Sequence, residues 1–370
     1  MSRRSPDTPY LAIDQNVVTQ NIQRMANLAS QAGINLRPHV KTHKSIELAK
    51  LQIAAGAVGI TVATIGEAEV FAKKGVKDIF IAYPLYVNDS KLQRLKKLTR
   101  RTDLTLAVDS VAGAKALALG LSGVKLLVEI DSGHHRSGCE PQQAGEIAHA
   151  AKKLGLNPVG VFTFPGHSYK PSGAKAAVAD EQRALLTAVK SFRKLGIEPT
   201  VVSSGSTPSA QVTAKSSSKN SVITELRPGV YALNDAQQLE LGSCNAKQIG
   251  LWAVATVVSA NGNRLILDSG SKTLGADRPT WATGYGRLLD FPDARIEALS
   301  EHHATVVFPR PKKSTASGPT RVQRFPKIGD QLRVAPNHVC SAVNLVERLY
   351  LIDGKKVLGS WAVAARGRNS

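Results

Sequence analysis

Apolar and polar positions alternate between two textures along most of the chain. In residues 16–31 the apolar side chains Val17, Val18, Ile22, Met25, Ala26 and Ala29 recur at helical spacing. Similar windows predict helices over 46–55, 66–74, 90–99, 111–118, 142–154 and 180–195. Between them lie short, uniformly apolar runs at 59–63, 79–83, 104–108, 124–130, 159–164 and 200–203. A run that is apolar at every position is buried on both faces, as strands of a parallel sheet are. Strand and helix alternate in this way over about 230 residues, which predicts a (β/α)8, TIM-type barrel.

The texture changes near Asn234. From Leu251 onward short β-rich runs dominate, at 252–258, 264–268, 303–308, 331–334, 349–353 and 361–364. Turn signals such as Asn261-Gly262-Asn263 and Asp353-Gly354 punctuate them. The expected organisation is an α/β barrel over 10–235 and a mostly antiparallel β domain over 240–370, the latter completed by the N-terminal residues. Segments 310–324 and 214–221 are expected to be surface loops.

Composition narrows the class. A chain of 370 residues with 42% hydrophobic side chains has enough apolar surface for a large core. No apolar run approaches the roughly 18 residues that span a bilayer, so no membrane is expected. The opening MSRRSPDTPY lacks an apolar signal core, and Cys139, Cys244 and Cys340 are too few for a disulfide framework. Both point to the cytoplasm. The formal net charge of +20 raises nucleic acid as a partner. Lys and Arg are nevertheless spread over helices and loops, and no zinc-finger, RNP or GXXG signature is present. A diffuse basic surface that attracts anionic substrates is the expectation, with no nucleic acid.

Candidate chemistry concentrates in six stretches. Arg37-Pro38-His39-Val40-Lys41-Thr42-His43-Lys44 packs two lysines and two histidines behind a proline. In an extended chain His39, Lys41 and His43 line one face, and an amine between imidazoles can act as a nucleophile. A solvated basic loop competes with that reading. Glu129-Ile130-Asp131-Ser132-Gly133-His134-His135-Arg136-Ser137-Gly138 and Pro165-Gly166-His167-Ser168-Tyr169 each follow an apolar strand. That is where barrels carry their catalytic loops. For Arg136 the competing reading is an ion pair with Glu129 or Asp131. Ser203-Ser204-Gly205-Ser206-Thr207 joins a strand to a helix, where small residues and backbone N–H groups can close round an anion. Arg227-Pro228-Gly229-Val230-Tyr231 follows downstream. In Pro336-Asn337-His338-Val339-Cys340, a strand would put His338 and Cys340 on one face as a metal-binding pair. A structural histidine beside a buried cysteine is the alternative there.

Together these stretches resemble the fold-type III pyridoxal phosphate enzymes, the alanine racemase-like barrels. The resemblance is closer to the branch of D-serine dehydratases, D-threonine aldolases and D-3-hydroxyaspartate lyases. It implies pyridoxal 5'-phosphate on Lys41, with Arg136 near the cofactor's phenolic oxygen and His167 and Tyr169 at the active site. It also implies a phosphate cup formed by Gly205, Ser206, Thr207, Gly229 and Tyr231, and Arg227 facing the pyridine nitrogen. The His338–Cys340 pair is implied to hold a divalent metal. The thiolate favours Zn2+, with Mn2+ as another candidate; His302 or His303 is a further candidate nearby, against a strand-entry polar cluster. The implied activity is a metal-assisted lyase on D-3-hydroxy-α-amino acids, with a slight lean to dehydration over retro-aldol cleavage. An amino-acid racemase or a cofactor carrier is a remoter alternative. A homodimer is implied, and the partner is a small D-amino acid.

Overall fold

The computed structural model describes residues 6–216, 221–309, 325–354 and 356–370. Two compact units emerge. One comprises Thr19–Ala232 with Ala364–Ser370, and the other comprises the chain up to Val18 with Leu233–Val363.

The chain opens with β1 (Tyr10–Asp14) and α1 (Gln15–Gln31), then enters the first unit. There β2 (Asn35–Leu36), α2 (Ile46–Ala54), β3 (Ile60–Val62), α3 (Ile65–Lys73), β4 (Asp78–Pro84) and α4 (Asp89–Thr99) follow in order. Next come β5 (Asp103–Val108), α5 (Val111–Ala118), β6 (Lys125–Glu129), α6 (Ala144–Lys153) and β7 (Asn157–Phe162). The unit ends with α7 (Ala174–Lys194), β8 (Val201–Ser204), α8 (Thr207–Ser216) and β9 (Glu225–Leu226). Four of these helices, α2 to α5, start on a side-chain cap: Ser45, Thr64, Asn88 and Ser110 each accept a backbone N–H of the first turn.

The strands form one parallel sheet in the order β2-β9-β8-β7-β6-β5-β4-β3. A lone parallel bridge between His39 and Thr61 joins its two ends, so the sheet curls into the TIM-like barrel the apolar runs predict. The helices pack outside on a core that includes Phe71, Leu95 and Phe192. Inside, Phe80 and Phe162 meet edge to face with centroids 5.0 Å apart. Beneath them, at the N-terminal strand ends, Arg37 bridges Asp78 and Glu225, its Nε 2.7 Å from Glu225 Oε2. In barrels filled in this way the active site sits at the C-terminal rim.

In the second unit α9 (Ala236–Glu240) precedes β10 (Leu251–Asn261), β11 (Arg264–Leu267), α10 (Ser271–Leu274), β12 (Gly286–Leu288), β13 (Arg295–Leu299) and β14 (Ala304–Val307). Then come β15 (Gln331–Pro336), α11 (Val339–Leu345), β16 (Arg348–Asp353) and β17 (Lys356–Ala362). The sheet order is β13-β14-β11-β10-β1-β16-β17, with β15 pairing both β10 and β12. All pairings are antiparallel except β1 with β16. The strand at Tyr10 therefore belongs to this sheet.

Two local expectations change. Residues expected in a loop from 214 are helical to Ser216, and 217–220 lie outside the described residues, as does 310–324. The lysine segment is not extended, because Val40–Thr42 form a 3-10 turn. The His39–Thr61 bridge ends the ladder there, so the N–H groups of His43 and Lys44 turn back to Val40 O at 3.1 and 2.8 Å. Among the described residues no helix is long and apolar enough to cross a membrane.

Candidate active site

The turn separates the side chains that an extended chain would have aligned. His43 is fully buried. Its Nδ1 accepts the Ser45 N–H at 3.1 Å and its Nε2 meets Gln52 Oε1 at 3.2 Å, while Gln52 Nε2 donates to the Tyr231 hydroxyl at 3.0 Å. Burial lowers the His43 pKa to about 4, so the ring is a neutral structural link. Burial likewise raises the Tyr231 phenol above its ordinary value. Lys44 turns the other way, into an ion pair with Glu67 and a 3.0 Å hydrogen bond to Asn369 Oδ1. Lys41 stays half-buried at the barrel rim, its Nζ 5.9 Å from the Phe164 ring centre.

Phe164, just past β7, is the ring on which the rim converges. The Arg136 guanidinium lies 5.1 Å from its centre, the His134 ring 5.6 Å and the Tyr169 ring 6.2 Å. Lys41, Arg136 and Tyr169 thus come together from three different strand ends. Arg136 also sits 3.8 Å from Glu129, whose carboxyl is raised by burial and accepts the Ser137 hydroxyl at 3.0 Å. A small cavity lined by Glu129, His134, Arg136, Thr163 and Phe164 opens here. His167 lies on a 3-10 turn, Nε2 3.4 Å from Asp180. No hydrogen bond forms at that contact, and both ring nitrogens are buried without a hydrogen-bond partner among the described residues. His39 is held well below the ordinary histidine range by burial and by the charges of Lys41, Arg227 and Arg136.

The anion loop is built on side chains as much as on backbone. Gly205 N–H goes to Glu181 Oε1 at 2.9 Å and Ser206 N–H to Ser209 Oγ at 2.9 Å. Ser206 Oγ links Ser168 and Ser209, and Thr207 Oγ1 accepts the Tyr231 N–H at 3.2 Å. Gly229 makes a close approach: a Cβ there would meet Thr42 Oγ1 at 2.8 Å and His39 O at 2.9 Å. Arg227 is buried over Phe80 and Phe162, donating to Ser203 Oγ at 2.7 Å and to the Thr163 carbonyl. Burial lowers its pKa to about 10 against the pull of Glu225, Glu129 and Glu181.

In the second unit the strand expected to carry His338 and Cys340 stops at Pro336. Asn337 turns the chain by donating to Asp277 O and Gly284 O at 3.1 and 2.7 Å. His338 then precedes α11 and Cys340 sits in its first turn. The two side chains still meet, because Cys340 is a hydrogen-bond partner of the imidazole. Asp277 Oδ2 takes His338 Nδ1 at 2.6 Å and the Ser341 hydroxyl at 2.7 Å. Burial opposes the charged ring, yet Cys340, Asp277 and Asp235 raise the His338 pKa to about 11. His302 and His303 are exposed at the turn between β13 and β14. Among the described residues no group of three or more His, Cys, Asp and Glu side chains is arranged to hold a metal.

Residues 13–236 match the family described as alanine racemase, N-terminal domain, and residues 250–352 match the putative serine dehydratase domain. The chain belongs to this family of fold-type III pyridoxal phosphate enzymes. It is 34% identical to a D-threo-3-hydroxyaspartate dehydratase from Delftia sp. (strain HT23), over 90% of this chain and 91% of that protein. A solved D-threonine aldolase from Filomicrobium marinum superposes with a TM-score of 0.83 at 27% identity, covering 98% of this chain and 96% of that one. A cysteine-to-alanine variant of a D-threo-3-hydroxyaspartate dehydratase, solved in the metal-free form, superposes with a TM-score of 0.83 at 31% identity and 97% coverage of both.

The rim fits the family's cofactor. His39 Nδ1 is a buried polar atom without a protein partner among the described residues, and it lies at a C-terminal strand end. Lys41 would supply the amine, Arg136 a cation, and the Ser204–Thr207 loop hydroxyl donors. The His338–Cys340 pair fits a divalent metal by its donor set, with Asp277 orienting the imidazole as carboxylates commonly do behind a metal-binding histidine. Sequence reasoning missed Phe164, Glu181 and Asp277. Phe164 reads as the last residue of an apolar strand, Glu181 as one charge on an amphipathic helix, and Asp277 lies 61 residues from its partner.

Proposed function

We propose that the chain is a pyridoxal phosphate-dependent, divalent metal-assisted lyase of D-3-hydroxy-α-amino acids, favouring dehydration and deamination. One observation carries this reading: Lys41, Arg136 and Tyr169 converge on Phe164 at the barrel rim, beside the Ser204–Thr207 anion loop. Bound pyridoxal phosphate supplies the electron sink that weakens bonds at the substrate's α-carbon. Lys41 would hold it through its amine and would serve as a base towards the substrate's α-proton. Arg136 places a positive charge at the rim for an anionic oxygen, and His167 is a second proton-transfer candidate with no competing hydrogen bond. His338 and Cys340 would hold the metal, which would supply the Lewis acid that loss of a β-hydroxyl calls for. The cysteine variant solved metal-free supports Cys340 as a ligand.

The lean to dehydration rests on the likeness to the hydroxyaspartate dehydratase. The likeness to a D-threonine aldolase supports the second reading, cleavage of Cα–Cβ to glycine and an aldehyde. Incubation with D-threo-3-hydroxyaspartate, D-serine and D-threonine separates them. Ammonia with a keto acid is expected. Acetaldehyde and glycine formed faster from D-threonine would establish the aldolase instead. We further propose that the protein is a cytoplasmic homodimer.

A further inference from the structure

Glu181, on α7, takes no part in the chemistry above, yet it lies directly behind the anion loop. It is fully buried, and its Oε1 accepts the Gly205 N–H at 2.9 Å. Gly205 has φ +89, a conformation open to glycine, and a Cβ there would also strike Leu226 at 2.7 Å. The carboxyl therefore pins the one residue whose backbone shapes the loop. Its Oε2 is buried beside the Ser204 hydroxyl, a hydrogen-bond donor that favours the charged carboxyl. That hydroxyl donates to the ionised carboxyl and accepts from Oε2–H once the carboxyl is protonated, so the pocket accommodates either state.

We propose that Glu181 is a positioning residue for the anion loop, and that it takes up a proton from solvent when the cofactor's phosphate docks there. The inference rests on the proposed cofactor reading. An anion arriving on the loop adds negative charge in front of a buried carboxylate, and the pair is relieved by protonating the carboxyl. The surroundings favour this. Burial raises the Glu181 carboxyl to about 7, against the Gly205 N–H, the Arg227 guanidinium and the Ser204 hydroxyl. Arg227, from the end of β9, is the one charge acting on it among the described residues. On its own helix Asp180 faces Arg183 and His167 instead.

The test titrates the cofactor-free protein with pyridoxal phosphate and, separately, with pyridoxal, from about pH 6 to about pH 9, for the native chain and for Glu181→Gln. The glutamine keeps an acceptor for Gly205 N–H but carries no titratable proton. Native affinity for pyridoxal phosphate, divided by that of Glu181→Gln, should fall by roughly tenfold per pH unit above the carboxyl's pKa. For pyridoxal, which lacks the phosphate, the ratio should stay flat. A flat ratio for both ligands, or an equal fall for both, overturns the proposal. Glu181→Ala, with its fold checked by circular dichroism, should lose more affinity for pyridoxal phosphate than for pyridoxal. Equal losses would reduce Glu181 to a purely structural part. Failure of the native protein to bind pyridoxal phosphate at any pH would instead overturn the cofactor reading itself.

Discussion

Lys44 Nζ lies 3.4 Å from Glu67 Oε1, and the two side chains are 7% and 2% exposed. That ion pair favours Lys41 over Lys44, three positions on, as the proposed cofactor lysine. Borohydride reduction of the holoenzyme should fix the cofactor to Lys41, and Lys41→Ala should abolish the visible absorbance of the lysine-bound cofactor. Label recovered on Lys44 would reverse the assignment.

The same pair predicts a stability effect. Glu67→Ala leaves the buried Lys44 ammonium, which also donates to Asn369 Oδ1, without its carboxylate. Removing one member of a buried pair costs about 3 kcal/mol or more. Urea unfolding of Glu67→Ala should show a loss of that order, whereas a loss under about 1 kcal/mol would mean that the ammonium finds other solvation.

His43 predicts an acid dependence. Its folded pKa of about 4 lies below the unfolded value of 6.5. The unfolded chain therefore binds the proton first, and the stability this ring contributes is full above pH 6.5 and lost as pH falls towards 4. A gap of about 2.5 units corresponds to roughly 3 kcal/mol. His43→Asn should flatten the urea-midpoint profile between those pH values. An unchanged slope would point to other groups.

Much of this arrangement was legible in the chain. Apolar alternation gave the barrel, and the sequence carried the lysine segment, the serine-rich loop and RPG. Local conformation was not legible where tertiary contacts override pattern. Pro38 suggested an extended run, but the ladder ends at His39 and the backbone coils to satisfy its own N–H groups. Asn337 turns a strand-like His-x-Cys into a helix start. Glu181 and Asp277 act across 24 and 61 residues, respectively, a distance at which periodicity carries no signal.

The anion loop gives a quantitative expectation. Thr207 Oγ1 accepts the Tyr231 N–H, so Thr207→Ala removes one hydrogen bond and leaves the loop's other links in place. Cofactor affinity should fall by about 1–2 kcal/mol, or roughly tenfold. A thousandfold loss in a fluorescence titration would assign the hydroxyl a larger share.

Ammonia release from D-threo-3-hydroxyaspartate, measured before and after chelation of protein that keeps its bound-cofactor absorbance, tests the central claim most directly. The account predicts that chelation abolishes release, that a divalent metal restores it, and that Cys340→Ala behaves as the chelated protein does. Full activity after verified metal removal would contradict it.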